Sequence, residues 1–181
     1  MTAKHPLEKF RFCPKCGSER FVVHDFKAKR CEKCGFVYYF NTSAATAAFI
    51  FDKNGRLLVA RRAYEPAKGT LDLPGGFVDL QESGEEAILR EIKEETGLNV
   101  SHLCYLFSLP NIYNYSDLEV HTLDLFFACQ AEDTSVFHAK DDVSELMFLN
   151  PEEIMAEDFG LKSIALGVGI FLKNKSSFQL K

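Results

Sequence analysis

No apolar run in this 181-residue sequence reaches the ~18 residues that a membrane-crossing helix needs. The N-terminus, MTAKHPLEKF, lacks the charged-then-apolar order of a secretory signal, so the cytoplasm is the expected compartment and no membrane partner is expected. There is no low-complexity tract and no internal repeat, which argues against a disordered or solenoid chain. Nor is there an excess of positive charge. Lys and Arg number 21 against 26 Asp and Glu, for a net charge of −5, a balance that argues against a general nucleic-acid binder.

What is present is a globular composition, 46% apolar and 26% charged, on a length that suits one domain or one domain with a small appendage. The charge is uneven. Residues 1–40 carry nine Lys or Arg against four acids, and the remainder carries 12 against 22. A composition break near Tyr39–Thr42 therefore divides a small basic, cysteine-bearing head (1–40) from an acidic body (41–181). Acidic charge gathered near a site would suit divalent cations.

The body alternates strands and helices. TAAFIF (46–51) and RLLVAR (56–61) read as a strand pair across an Asn54-Gly55 turn whose two positions are expected to need positive φ. Further strands are expected at Leu103–Leu109, Thr122–Cys129 and Leu146–Leu149, and helices at Pro151–Ala156 and Lys162–Lys173. Mixed elements in this order imply an α/β or α+β sandwich. Cys104 and Cys129, each in an apolar stretch, read as buried small hydrophobes.

Cys13, Cys16, Cys31 and Cys34 form C-P-K-C, fourteen residues, then C-E-K-C. Two such knuckles present four thiolates in the tetrahedral geometry of a structural Zn²⁺ site, and Gly17 and Gly35 help each knuckle turn. Two disulfides or a redox pair are the competing readings; an expected cytosolic setting disfavours the first, and the repeated spacing disfavours the second. A closed four-thiolate site would support the fold of the head, not catalysis.

The most informative segment runs from Gly76 to Leu98: GFVDLQESGEEAILREIKEETGL. Ser83 with Glu86 has capping-box spacing, and Gly97 is a left-handed stop, which together delimit a helix. At ~100° per residue, Glu91, Glu94 and Glu95 share one arc, while Ile88, Leu89 and Ile92 take a neighbouring, core-directed face. Most Glu-rich helices simply present a solvated face. Here, however, three like charges at i, i+3 and i+4 repel one another, and a bound divalent cation would reverse that repulsion. The cluster is also approached through a Pro-Gly-Gly bend, where backbone can come close to a ligand.

At every fixed position this segment resembles the motif of the Nudix hydrolases: Gly, five residues, Glu, seven residues, then Arg-Glu-apolar-any-Glu-Glu-any-Gly-apolar. The resemblance implies an α/β/α sandwich with a mixed sheet, preceded here by a zinc ribbon. It implies hydrolysis of a diphosphate bond in a nucleoside diphosphate-linked compound, assisted by Mg²⁺ or Mn²⁺. Glu91, Glu94 and Glu95 would be the metal set, with Glu94 or Glu95 as base toward water. Glu82 would bind metal through water or cap the helix, and Arg90 would orient a glutamate.

A zinc ribbon directly before such a domain is similar to the NADH pyrophosphatases, and the likeness extends from about Phe12 to Phe148. That family's Ser-Gln-Pro-Trp-Pro-Phe-Pro-any-Ser stretch begins 11 residues past the last Gly of the motif; at that offset this chain reads SLPNIYNYS. Ser108, Pro110 and Ser116 match and Tyr113 replaces Phe, but the Trp position is Asn111, and Ile112 and Asn114 replace prolines. The resemblance implies NAD(H), or a related dinucleotide, cleaved to AMP and a mononucleotide. It carries over Phe77, beside Gly76, as a stacking residue and Glu145 as a further metal ligand, against the plainer readings of core packing and a loop acid. Ser108, Tyr113 and Tyr115 join the substrate-binding set, although alternating Tyr also suits a strand edge.

The alternatives keep the chemistry with ADP-ribose, a dinucleoside polyphosphate or a nucleoside triphosphate as substrate, or replace it with a ligand-sensing regulator whose ribbon binds nucleic acid. Lys27, Lys29 and Arg30 are the basic cluster available to that last reading. The expected partner is a small nucleotide, and the acidic body and aromatic strand allow a homodimer.

Overall fold

A computed structural model of the chain describes residues 5–135, 137–139 and 143–174. The head forms a three-stranded antiparallel sheet, β1 (Phe21–Asp25), β2 (Ala28–Cys31) and β3 (Val37–Tyr39). The body is built on a six-stranded mixed sheet. Its strands are β4 (Ser43–Phe51), β5 (Leu57–Arg62), β6 (Leu71–Asp72), β7 (Val100–Tyr115), β8 (Leu118–Ala131) and β9 (Val143–Leu149). Their order is β6-β5-β4-β8-β7, with β9 also paired to β5. Strands β4 and β8 run parallel through nine residue pairs, and the neighbouring pairs β7–β8 and β5–β9 are antiparallel.

Strand parity divides the core. Ala47, Phe49, Leu57, Val59, Phe126 and Ala128 face helix α2 (Lys162–Lys173), which contributes Ile164, Val168 and Phe171. Ala48, Ile50, Leu58, Phe127 and Cys129 face helix α1 (Gly84–Thr96), which contributes Ile88 and Ile92. Because successive strand residues point to opposite faces, the continuous apolar runs of β4 and β8 require a helix on each side. The result is the expected α/β/α sandwich. Among the described residues no helix is long and apolar enough to cross a membrane.

Five local expectations change. Leu89 of α1, expected on the core-directed face, is exposed. Only Gly55 of the Asn54-Gly55 turn has a positive φ, 77°. Asp52 fixes the turn instead, its carboxylate accepting the amides of Asn54 (2.9 Å) and Arg56 (2.8 Å). Residues 151–156 form no α-helix: two 3₁₀ turns, Pro151–Glu153 and Ala156–Asp158, flank Ile154, which is extended so that its side chain enters the core. The β7–β8 hairpin runs well past the apolar stretches, because its outer half is half exposed and tolerates Asn, Tyr and Glu. Cys129 is buried, with its thiol pushed up to about 12 by burial, but Cys104 is exposed on the edge strand β7.

Candidate active site

Strands β4 and β5 are paired at Phe51–Leu57 and then part. The loop from Pro74 to Val78 takes up the edge of β4 that this leaves: Thr46 and Ala48 donate amides to the carbonyls of Gly76 (2.7 Å) and Pro74 (2.9 Å), and Val78 donates to Ala44 (3.0 Å). This close approach accounts for both glycines. A Cβ on Gly75, whose φ is 153°, would collide with the Thr46 carbonyl, and one on Gly76 would overlap the Glu91 carboxylate.

Helix α1 starts and stops where local chemistry dictates. Ser83 Oγ accepts the Glu86 amide (3.2 Å), the Ser83 amide donates to Glu86 (2.8 Å), and Gly97, at φ 74°, closes the helix through Lys93 (3.0 Å). Ile88 and Ile92 anchor it on the sheet, which turns Glu95 inward: it is 8% exposed and accepts the Gly75 amide at 3.1 Å. Glu91 is half-buried beside Gly76, and Glu94 faces solvent.

The Arg90 guanidinium lies among these acids. It donates to both oxygens of Glu82 (2.9 Å each), to Glu91 (2.8 Å), to Glu94 (3.2 Å) and to the Phe77 carbonyl (3.1 Å). Hydrogen bonding by Arg90, and by the Asp79 amide, holds the Glu82 carboxyl below its usual range, and the same acids raise the Arg90 guanidinium. Glu91 moves the other way: burial pushes its carboxyl up despite Arg90. A carboxylate so desolvated is stabilised by a further cation, and the set of hard oxygen donors fits Mg²⁺ or Mn²⁺.

A cavity open to solvent is lined by Gly75, Gly76 and Glu95. Phe77 and Tyr113 line it, meeting edge to face with ring centroids 6.1 Å apart. Its wall also holds polar residues that the sequence alone does not assign to a site, among them Arg62, Asp72, Asn111 and Asp124. Arg62 donates to Asp72 at 2.5 Å. Burial pushes the Asp72 carboxyl up, against the Arg62 contact that lowers it. Asp124 accepts from Asn111 (3.1 Å), Thr122 (2.6 Å) and Ser163 (2.5 Å). The available signal was a lone acid inside an apolar strand, HTLDLFF, since a buried carboxylate demands partners.

Gly76, Phe77, Glu95 and Tyr113 are therefore brought to one cavity, with Arg90, Glu91 and Glu94 on the adjoining helix face and Glu82 in the loop before it. Three expected residues lie off the cavity wall. Glu145 pairs with Arg61 at 3.0 Å on the exposed β5–β9 ladder, Ser108 is half-buried opposite Leu125 in mid-β7, and Tyr115 is exposed beside the hairpin turn.

In the head, Cys13, Cys16, Cys31 and Cys34 bring all four sulfurs within 4.8 Å of one another. The Cys13–Cys34 and Cys16–Cys31 sulfur separations are 3.8 and 3.7 Å. Four sulfurs at ~2.3 Å from one tetrahedral Zn²⁺ would sit ~3.8 Å apart, so the cluster fits zinc. The knuckles match: the Gly17 and Gly35 amides donate to Cys13 and Cys31, both at 2.9 Å, from φ of 69° and 75°. Burial opposes the Cys31 thiolate, yet the amides of Cys34 and Lys33 and the neighbouring thiols bring it down to about 6. Lys29 is not part of a free basic patch: it is buried, donating to the Phe10 carbonyl (2.8 Å) over the Phe21 ring.

Residues 41–166 match the family model for the NUDIX domain. The chain is 30% identical over 106 residues to a NAD-capped RNA hydrolase NudC of Vibrio atlanticus, a match spanning 59% of this chain and 39% of that protein. It is 37% identical over 103 residues to an ADP-ribose pyrophosphatase of Methanocaldococcus jannaschii, spanning 56% of this chain and 58% of that protein. The chain thus covers less than two thirds of the length of either relative. A NUDIX hydrolase of Nitrosomonas europaea shares the fold at a TM-score of 0.73 and 20% identity, over 93% of this chain and 94% of that one.

Proposed function

This chain belongs to the NUDIX family, and on that premise we propose that it hydrolyses the diphosphate link of a dinucleotide, NAD(H) or a close relative, to AMP and a mononucleotide. One observation carries the reading: the acidic face of α1 and the Gly75–Gly76 bend meet at the mouth of a cavity that has an aromatic wall. The names of the relatives, a hydrolase of NAD-capped RNA and an ADP-ribose pyrophosphatase, point to the same class of bond.

Glu91, Glu94 and Glu95 would hold Mg²⁺ or Mn²⁺, which when bound neutralises phosphate charge and acidifies water. Glu95 is suited to take the proton of the attacking water, because it faces the cavity and its carboxylate is oriented by the Gly75 amide. The water oxygen bonds to one phosphorus, the bridging P–O bond breaks, and each product leaves as a monophosphate. Arg90 positions Glu82, Glu91 and Glu94 without itself reaching the cavity wall. Phe77 and Tyr113 offer ring faces to a base or nicotinamide, a contact worth ~1–3 kcal/mol. Cys13, Cys16, Cys31 and Cys34 would hold Zn²⁺ as a fold element of the head.

The test incubates the protein with Mg²⁺ or Mn²⁺ and NADH, NAD, ADP-ribose, diadenosine tetraphosphate or dNTPs separately, and resolves the products. NADH or NAD is expected to give AMP plus the mononucleotide. No turnover of any of these compounds overturns the enzymatic reading. Glu95→Gln is expected to lower kcat by at least ~100-fold while the fold is retained.

A further inference from the structure

One part of the cavity wall is acidic. Asp72 and Asp124 both line it and both are less than a tenth exposed. Among the described residues of the wall the one cationic side chain is Arg62, which is engaged by Asp72 (2.5 Å) and by the Pro66 carbonyl (2.7 Å). A phosphate or carboxylate would meet net negative charge there, whereas cations held by Glu91, Glu94 and Glu95 would offset the charge beside Gly75 and Gly76; the anionic part of a substrate therefore belongs beside those glycines and an uncharged ring against Asp124.

The hydrogen bonds of Asp124 narrow what that ring can present. A carboxylate offers about four acceptor sites. Oδ2 is occupied by Asn111 Nδ2 and Ser163 Oγ, and Oδ1 by Thr122 Oγ1. One site on Oδ1 remains, and an N–H satisfies it; a carbonyl oxygen in its place is repelled. Asn111 stands where the resembling motif has Trp, and its amide donates to the Asp124 carboxylate on the cavity wall.

We propose that the Asn111–Asp124 pair sets specificity, accepting the exocyclic amino group of the planar ring that enters this cavity. The inference rests on the cavity being the nucleotide site. The amino group could belong to adenine or to the carboxamide of nicotinamide, and the two sources are separable by ligand.

Binding is measured by calorimetry on the whole 181-residue chain with Mg²⁺ present; the four ligands are monophosphates without a diphosphate link, so no turnover enters. One pair of ligands is AMP and IMP; the other is nicotinamide mononucleotide and nicotinate mononucleotide. In at least one pair the amino-bearing member is expected to bind about 10–100-fold more tightly, the range for leaving a buried acceptor unpaired. Preference in the first pair identifies adenine, and in the second the carboxamide. Equal binding within both pairs, or no binding by any of the four, overturns the proposal.

Asp124→Asn is expected to bring the preferred pair to within about threefold, and its fold is expected to hold because the Thr122 and Ser163 hydroxyls can turn to accept instead of donate. A folded Asp124→Asn protein that keeps the preference overturns the proposal. Should that variant not fold, Asn111→Leu removes the orienting amide alone; it is expected to cut the preference at least about threefold, and an unchanged ratio counts against the proposal. A protein that binds with this preference but cleaves no dinucleotide would refute the enzymatic reading and leave this one standing.

Discussion

The carboxylate of Glu91 fills the space that a β-carbon on Gly76 would need. Two positions of the family motif, fifteen residues apart in sequence, are thereby fixed by a single steric relationship: the bend is bare so that the acid can lie against it. Gly76 has no positive φ to protect, so alanine at this position tests the contact and not the backbone conformation. Gly76→Ala is expected to displace Glu91 and lower kcat on the best substrate by about 10–100-fold, the cost of misplacing a catalytic constellation by about an ångström. Thermal stability should change little. Unaltered kinetics would show that the position of Glu91 is immaterial.

Arg90 offers a sharper distinction between charge and geometry. Its fork reaches Glu82 through two bonds and Glu91 and Glu94 through one each, which a lysine ammonium cannot reproduce. Arg90→Lys is therefore expected to recover only part of the activity lost in Arg90→Ala. In both variants kcat should fall, by roughly 10-fold or more in the alanine protein, and the Mn²⁺ needed for half-maximal rate should rise, while KM for the nucleotide moves little. Full recovery by lysine would mean that charge alone suffices.

How far the site could be read from sequence depended on how local its causes are. The bounds of helix α1 were legible to the residue, because Ser83, Glu86 and Gly97 cap it from within. The cysteine knuckles were legible for the same reason. The wall formed by Arg62, Asp72, Asn111 and Asp124 was not, since four separate segments meet only after β4, β5 and β8 pair and α2 docks. Asp124 in particular needs Ser163, 39 residues away, before its burial makes sense. The stretch 151–156 has a helix-like pattern, but burial of Ile154 draws the chain out of the helical path.

The cysteine head yields a prediction that does not involve catalysis. Among its described residues the buried apolar side chains are Leu7, Cys13, Phe21, Ala28 and Cys31, with Phe36 packed alongside, too little to hold three short strands without a bound ion. Zinc analysis should return one ion per chain, and Cys13→Ser should lose it. Amide exchange across 10–36 should then rise markedly, while exchange in α1 stays protected. Unchanged zinc content in that variant would refute the assignment.

Asp52 is the last residue for which the structure fixes a sign. Its side chain is only 2% exposed and accepts the Asn54 amide, the Arg56 amide and Arg56 Nε at 2.9, 2.8 and 2.7 Å. Burial opposes the charge, but these bonds prevail and hold the carboxyl below its usual value. A carboxyl lowered by folding contributes stability that is present above its unfolded pKa, ~3.9, and is lost as pH falls through the lower folded value. Asp52→Ala, which strands two amides, is expected to cost about 2–3 kcal/mol at pH 7, or roughly 5–10 °C in Tm for a chain of this size. Asp52→Asn keeps acceptors for the amides and should cost less. The gap between wild type and Asp52→Asn should stay constant from about pH 7 to 5 and narrow as pH falls below about 4, where the unfolded carboxyl takes up a proton that the native one resists. Melting curves across that range test both parts, and a gap that widens at low pH would reverse the sign assigned to Asp52.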